Sequence, residues 1–476
     1  MQALSQSLKD VAKHAPEWED AFRECHPAAQ ASVATKLAEA LWREDIGDAR
    51  RRFKPVAVHA FERAVLAPVE ADPASLVHHE GLQAELASAV TGLALAYARR
   101  QAIDRRIKAS GAPDMLAHVE GHDADTACVK LERLATEGHN LHPCGRTRLG
   151  WHVGDMLRHD LETDRTEVAF LPGGHPVHAW QLAHLRERYD LETVGQPVPA
   201  WPTAALRTLL IRPGTYYKLA LDIQVTSTRR TISPAATRNG PVLSRFIADR
   251  LDDDRFLLMP ETAGMSSPLG TGRDLSAIVR SGLYGRLRPG EVPVPGGALP
   301  AIDPITGRTI LEGLVERSGL GPVRFVVDYA RLLLPAVLRL AARHGIGLEA
   351  HLQNCVPTFV DGHPYRMGLR DFAGLRIMAG QAPPLHPGSV IATCDRAVML
   401  SKVAYTVFQA HLGELVLRLG VEEAWPAIGD IAAQALDAHP DLAFYTAETV
   451  PHKALTRMRL ADAGDIYVPV RNPLHG

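Results

Sequence analysis

Glu349, His351, Gln353 and Asn354 fall within the six residues EAHLQN, and Asp371 follows in RDFAG at 370–374. Two carboxylates, a histidine and two amides at this density suit a polyphosphate and its magnesium, because Mg²⁺ takes hard oxygen ligands together with substrate phosphates. The cations such a ligand needs lie earlier, at Arg207, Lys218, Arg229 and Arg230, with the hydroxyls of Thr226 and Ser227 among them. Arginine grips phosphate as a bidentate fork, lysine as a point charge. Phosphoryl and nucleotidyl transfer depend mainly on electrostatic clamping of this kind. These residues predict an ATP-using enzyme. Glu349 and Asp371 are expected to serve Mg²⁺, His351 the phosphates, and Gln353 and Asn354 the metal or the nucleotide.

No G-x-x-x-x-G-K-[ST] loop and no G-x-G-x-x-G fingerprint is present, so a nucleotide site has to be assembled from dispersed side chains. Two H-x-x-H pairs, His139 with His142 and His175 with His178, invite a zinc reading. A catalytic zinc needs a third protein ligand, and proline follows both His142 and His175, so neither pair lies on an uninterrupted helix. The alternatives are loop histidines bonded to nearby backbone, or contacts to phosphate or carboxylate. Arg146 and Arg148 favour the last of these for His139.

These side chains have to be positioned by elements of different period. In YKLALDIQVT, Leu219, Leu221, Ile223 and Val225 alternate with Lys218, Ala220, Asp222 and Gln224, which predicts a half-buried strand with one polar face. Lys218 and Arg230 are twelve residues apart, about 40 Å along a straight strand. They can share one triphosphate only if the chain turns, and Thr226–Thr228 is the place for it. Residues 1–135 carry apolar residues at three- and four-residue spacing, clearest over 76–103, and predict a mostly helical region. Val323–Arg343 and 396–437 also read as helix, EAHLQN and CVPTFV as a turn feeding a strand, and Pro289–Gly307 and the final VPVRNPLHG as loop.

At 476 residues the chain is long for one core. Its formal charge of −2 argues against a sequence-wide attraction to nucleic acid or anionic membrane. Five scattered cysteines form neither a disulfide framework nor a thiolate metal site. The first residues carry no long apolar run, and Leu332–Ala342 is too short to span a bilayer, so a cytoplasmic location is expected.

Taken in order, four blocks resemble the NRPS-independent siderophore synthetases, the IucA/IucC or aerobactin-synthetase-like family. EGHNLHPCGRTRLG looks like its G-H-P-x-H-P-x-x-K-x-R-x-G block and PVHAWQ like P-V-H-P-W-Q. KLALDIQVTSTRRTIS resembles K-L-x-x-x-x-x-T-S-x-x-R, and EAHLQN with RDFAG is similar to E-A-H-x-Q-N and R-D-x-x-G. The resemblance implies an α+β, cupped-hand fold: a helical thumb over 1–136, fingers over 137–322, and a palm with the C-terminal helical region over 323–476. It implies ATP and Mg²⁺ as cofactors and adenylation of a carboxylate of citrate, a citrate derivative or 2-oxoglutarate. An amine or alcohol then takes the acyl group, with pyrophosphate and AMP released. By matching positions, Lys218, Arg230, His351 and His139 contact phosphate or the reacting carboxylate. Arg207, Thr226, Ser227, Glu349, Gln353 and Asp371 join them at the nucleotide, and Glu349, Asn354 and Asp371 at the metal. Protonated His351 is expected to stabilise charge beside Arg230. A homodimer, with no nucleic-acid or membrane partner, is also implied. Asn140 stands for a family proline, Arg146 for a lysine, Ala179 for a proline and Ala205 where serine is frequent.

Two other readings compete. A small-molecule kinase is suggested by the likeness of RDFAG to D-F-G, but such enzymes need a loop aspartate before the asparagine, and EAHLQN has none. A carboxylate- or metal-chelate-binding protein built on the four loop histidines leaves Lys218, Arg230 and Asp371 without a role.

Overall fold

The computed structural model describes residues 2–475. Two long helices, Glu19–Arg43 and Glu80–Lys108, dominate the N-terminal region. They pack through Val33, Leu37 and Leu41 against Leu82, Leu86 and Leu93, in one core with Leu221, Ile223 and Val225. A short helix, Ala124–Glu132, is capped by Asp123, whose carboxylate accepts the amides of Asp125 and Thr126. Buried Asp125 accepts four hydrogen bonds, from Gly214 N, Tyr216 Oη, Leu283 N and Tyr284 N at 2.7–3.1 Å. That helix is thereby pinned to the sheet that follows it in sequence.

The sheet has seven strands, all neighbours antiparallel, in the order Glu261–Met265, Ala277–Ser281, Thr215–Leu219, Thr208–Arg212, Val198–Pro202, Thr166–Leu171 and His175–His178. The stretch read as one strand through Lys218 is two, Thr215–Leu219 and Leu221–Val225, broken where the Ala220 amide turns to Ser276 O. The second runs into a hairpin with Thr228–Arg230, and the chain reverses at Thr226 and Ser227, as the spacing of Lys218 and Arg230 requires.

A second sheet holds Phe256–Leu258, His363–Leu369, Cys355–Val360 and Glu291–Pro293. The buried helix Pro322–His344 packs in the same core as this sheet, with Phe325 stacked on Phe359. No helix among the described residues is long and apolar enough to cross a membrane. Hydrophobic packing runs across positions 136 and 322: one core includes Ile103, Leu131, Phe256, Phe325, Phe408 and Val470. The final VPVRNPLHG is not all loop. Tyr467–Arg471 pairs antiparallel with Thr449–Lys453, since the alternating valines find a partner strand that lies 14 residues earlier (Lys453 against Tyr467). The 396–419 helix contains a π-helical turn, Ala404–Leu412. From it His411 donates through Nδ1 to Ala350 O at 2.9 Å and accepts Tyr329 Oη at 2.8 Å, bracing the backbone of EAHLQN.

Candidate active site

Cross-strand register places Lys218, Arg280 and Glu261 on one face of the seven-stranded sheet. Lys218 lies opposite Ile278, Arg280 two residues on opposite Tyr216, and Glu261 opposite Arg280. Lys218, on the polar face of the alternating strand, is 2% exposed. A buried ammonium needs a paired anion, and Lys218 Nζ donates to Asp371 Oδ1 at 2.7 Å with Glu261 Oε1 at 3.5 Å. Buried Arg280 lies over the Tyr216 ring at 5.0 Å. Arg207 leaves the turn Ala204–Leu206 and donates to the carbonyls of Arg230 and Thr231 at 3.1 Å.

The hairpin turn brings Arg230 beside this group. Arg230 donates to Val225 O at 3.1 Å and Thr226 Oγ1 at 3.0 Å, and its Nε is buried with no partner among the described residues. Desolvation, with Arg207 and Arg148 nearby, lowers its pKa to about 9, while Asp371 and Glu349 act in the other direction. Among the described residues, Arg207, Arg230 and Arg280 have no carboxylate within ion-pairing distance. Ser227 Oγ lies 2.6 Å from His142 Nε2. His142 Nδ1 accepts the Cys144 amide, so the neutral ring carries its proton on Nε2 and donates to Ser227. Burial beside Arg230 and Arg459 lowers His142 to about 3. His139 Nδ1 likewise accepts the Leu141 amide, which leaves its Nε2–H free to donate. Burial and the neighbouring His142, His351, Lys36 and Arg63 hold His139 neutral.

Glu349 and Asp371 both act on Arg230 and on His351. Glu349 Oε1 pairs with Lys402 Nζ at 3.1 Å. Gly374 stands against the same carboxylate, with no room for a Cβ. Asn354 Nδ2 donates to Glu349 O at 3.0 Å, so its amide nitrogen shapes the loop that presents Glu349. Neither the His351 ring nor the exposed Gln353 side chain has a hydrogen-bond partner among the described residues, which leaves both available to a ligand. Mg²⁺ in phosphate sites uses one or two carboxylates and keeps substrate oxygens and water for the rest. Glu349 and Asp371 fit that donor set, and among the described residues no three His, Cys, Asp or Glu side chains form a metal group of their own. Three non-glycine residues with left-handed backbone sit here, Leu206 (φ 60°), Thr226 (φ 56°) and Asp371 (φ 65°). Each precedes or adjoins a residue of the cluster, a concentration of strain common at functional sites.

Several expectations need correction. Burial lowers the His351 pKa against the opposing pull of Glu349 and Asp371, so the site by itself does not favour the protonated ring. Arg146 and Arg148 do not flank an open phosphate site. Both are 3% exposed and paired with Glu162 and Asp160 inside the protein. His175 bonds Leu275 O and His178 caps its helix by accepting the Trp180 amide, so this pair is structural. Asn140 uses its amide to tie the loop to Ala410 O and Glu414. Arg280, Glu261 and Lys402 were not singled out by spacing. Arg280 and Glu261 share the Lys218 face only through pairing of distant strands, and Lys402 reads locally as a helix charge.

Two family models match the chain, one described as the IucA / IucC family over residues 174–301 and one as a ferric iron reductase FhuF-like transporter over 324–468. A D-ornithine–citrate ligase of Staphylococcus aureus is 25% identical over 385 residues, covering 68% of this chain and 56% of that protein. The fold matches the petrobactin biosynthesis protein AsbB of Bacillus anthracis with a TM-score of 0.79 at 17% identity, over 96% of this chain and 98% of that one. Over residues 174–301 the chain is similar to the IucA/IucC family. A second solved structure, the ATP-bound aerobactin synthetase IucA of a hypervirulent Klebsiella pneumoniae pathotype, matches with a TM-score of 0.69 at 17% identity, over 89% of this chain and 92% of that one. The alignments span about half the length of the curated relatives that this chain matches first. Within 324–468 its cysteines are Cys355, buried, and Cys394, exposed, which make no thiolate cluster.

Proposed function

We propose that this chain is an ATP- and Mg²⁺-dependent ligase that adenylates a carboxylate of citrate or a citrate derivative and joins it to an amine or alcohol. The observation that carries this reading is the group of three guanidinium side chains, Arg207, Arg230 and Arg280, with no ion-pair partner beside the Lys218–Asp371 pair. Unpaired cations in a partly enclosed site are costly unless an anion of matching charge binds there. A triphosphate supplies it. The relative named as a D-ornithine–citrate ligase and the ATP-bound aerobactin synthetase support the same substrates for this chain.

In this mechanism Lys218, Arg207, Arg230 and Arg280 hold the phosphates, and Thr226 and Ser227 add hydroxyl contacts. Gln353 and His351 complete the nucleotide site. Glu349 and Asp371, with the loop shaped by Asn354, would hold Mg²⁺, which when bound would neutralise part of the polyphosphate charge. A carboxylate oxygen of the acid attacks the α-phosphorus, the bond to the β-phosphate oxygen breaks, and pyrophosphate leaves. The acceptor nitrogen or oxygen then attacks the acyl carbon, loses its proton, and AMP leaves. Arg230 stabilises charge that builds at the α-phosphate, and the Nε2–H of His139 donates to the reacting carboxylate or phosphate.

The test is pyrophosphate release from ATP and Mg²⁺ with citrate, 2-oxoglutarate or succinate, each with hydroxylamine as surrogate nucleophile. Pyrophosphate, AMP and a hydroxamate with one acid support the ligase and name its donor. ADP as the nucleotide product overturns it in favour of phosphoryl transfer.

A further inference from the structure

Glu132 touches none of the groups described above as ligand-binding, yet two of the loops that carry them are bonded to its carboxylate. It ends the helix Ala124–Glu132 and is 2% exposed. One oxygen pairs with the Arg370 guanidinium, 238 residues away in sequence. The other accepts the Ala204 amide at 2.6 Å, 72 residues away. Arg370 donates on to Gln353 O at 3.0 Å, its own amide bonds Asn354 O at 2.9 Å, and Asp371 follows it directly. Ala204 opens the turn through Leu206 that delivers Arg207. The other end of the same helix is locked to the Lys218 strand through Asp125 and Tyr216.

We infer that Glu132 is a positioning residue: its carboxylate sets the spacing between the phosphate-holding side, Arg207, and the carboxylate side, Asp371 with Gln353. The chemistry of the contacts requires a carboxylate. Both partners are donors, a guanidinium N–H and a backbone N–H, and an ionised carboxylate accepts from both. Glutamine has one acceptor and turns an NH₂ toward the other donor, so one loop is released. Its charge matters as well. Arg370 is buried close to Arg280, which has no carboxylate of its own. With Glu132 neutral, two unpaired guanidiniums share that space.

This inference rests on the ATP-binding reading and deepens it, so the experiment separates the two. ATP binding in Mg²⁺ is measured by calorimetry for the full chain, reading stoichiometry and Kd independently, beside kcat for pyrophosphate release. Wild-type protein that binds no ATP overturns the underlying reading. Given wild-type binding, Glu132→Gln is expected to bind at unchanged stoichiometry with Kd raised at least tenfold and kcat lowered at least tenfold. Glu132→Asp, which keeps the charge but is one methylene shorter, is expected to recover part of the Kd. A mere structural brace lowers the stoichiometry of competent protein and leaves Kd alone, and that result overturns the inference. Should Glu132→Gln fail to fold, Arg370→Lys takes its place, since it keeps the charge and loses the fork. A wild-type Kd in that variant overturns the inference equally.

Discussion

Gly374→Ala isolates Glu349 without touching it. The Gly374 backbone is not in the left-handed region, so alanine is compatible there. A Cβ at that position overlaps Glu349 Oε2 and stands 2.6 Å from its Cδ, where ordinary contact begins at 3.4 Å. The carboxyl carbon has to retreat by about 0.8 Å and Oε2 by more. Because the obstacle is the far end of a flexible side chain that is 24% exposed, it can rotate away and leave the backbone in place. Overpacking of this kind costs about 1–3 kcal/mol at most. Reduced freedom of the unfolded chain offsets about 0.4–1 kcal/mol of that. The retreat disturbs the 3.1 Å pair with Lys402 and shifts the carboxylate whose charge acts on Arg230 and His351. Displacement of a catalytic group by about 1 Å lowers turnover by about 10²-fold. Gly374→Ala is therefore expected to melt within a few degrees of wild type and to release pyrophosphate about 10²-fold more slowly. Glu349→Ala should reproduce the defect, and the double variant should be no worse than either single, since both remove one group. A folded Gly374→Ala protein within threefold of wild-type turnover refutes the placement of Glu349 at the reaction.

Arg230→Ala should slow pyrophosphate release by about 10²-fold or more, and a change under threefold removes Arg230 from the mechanism. Asp371→Ala deprives Lys218 of its 2.7 Å partner and should abolish Mg²⁺-dependent turnover; normal activity in that variant sinks the metal assignment. His142 and His178 are lowered to about 3, and His159 and His411 to about 4, by burial. Folded pKa values below the unfolded value of about 6.5 mean that the unfolded chain binds more protons below that pH. Stability is then fully present above about 6.5 and is lost toward pH 4, at about 5 kcal/mol per pH unit for the four together. Melting temperatures that stay flat from pH 6.5 to 4.5 contradict this.

The motif residues were legible because their chemistry is local: EAHLQN, RDFAG and the Thr226–Ser227 turn each hold their functional atoms within a few positions. The long helices and the strand before the hairpin were legible from period alone. What pattern reading misplaced was burial. Lys218 sits where alternation puts a solvent-facing charge, and only Asp371, 153 residues on, explains why it is inside. Arg146 and Arg148 look like phosphate ligands in a basic string, but Asp160 and Glu162 consume their charge. Arg280 and Glu261 carry no local signal at all, because their place depends on which strands pair. The lowered pKa of His351 follows from desolvation, a property of the folded surroundings and not of the residue type.

Bonds in this fold join positions very far apart in the chain: Glu132 reaches Arg370 at the site, and elsewhere the Glu44 carboxylate accepts the Arg457 amide across 413 residues. Contacts of such range form late, after the loop-closure entropy of most of the chain has been overcome. On a translating ribosome, Arg207, Arg230 and Arg280 are therefore exposed long before the carboxylates that complete the pocket have been made. On the proposed reading, nucleotide would not template the early steps of folding; it would stabilise the finished molecule, by RT ln(1 + [L]/Kd).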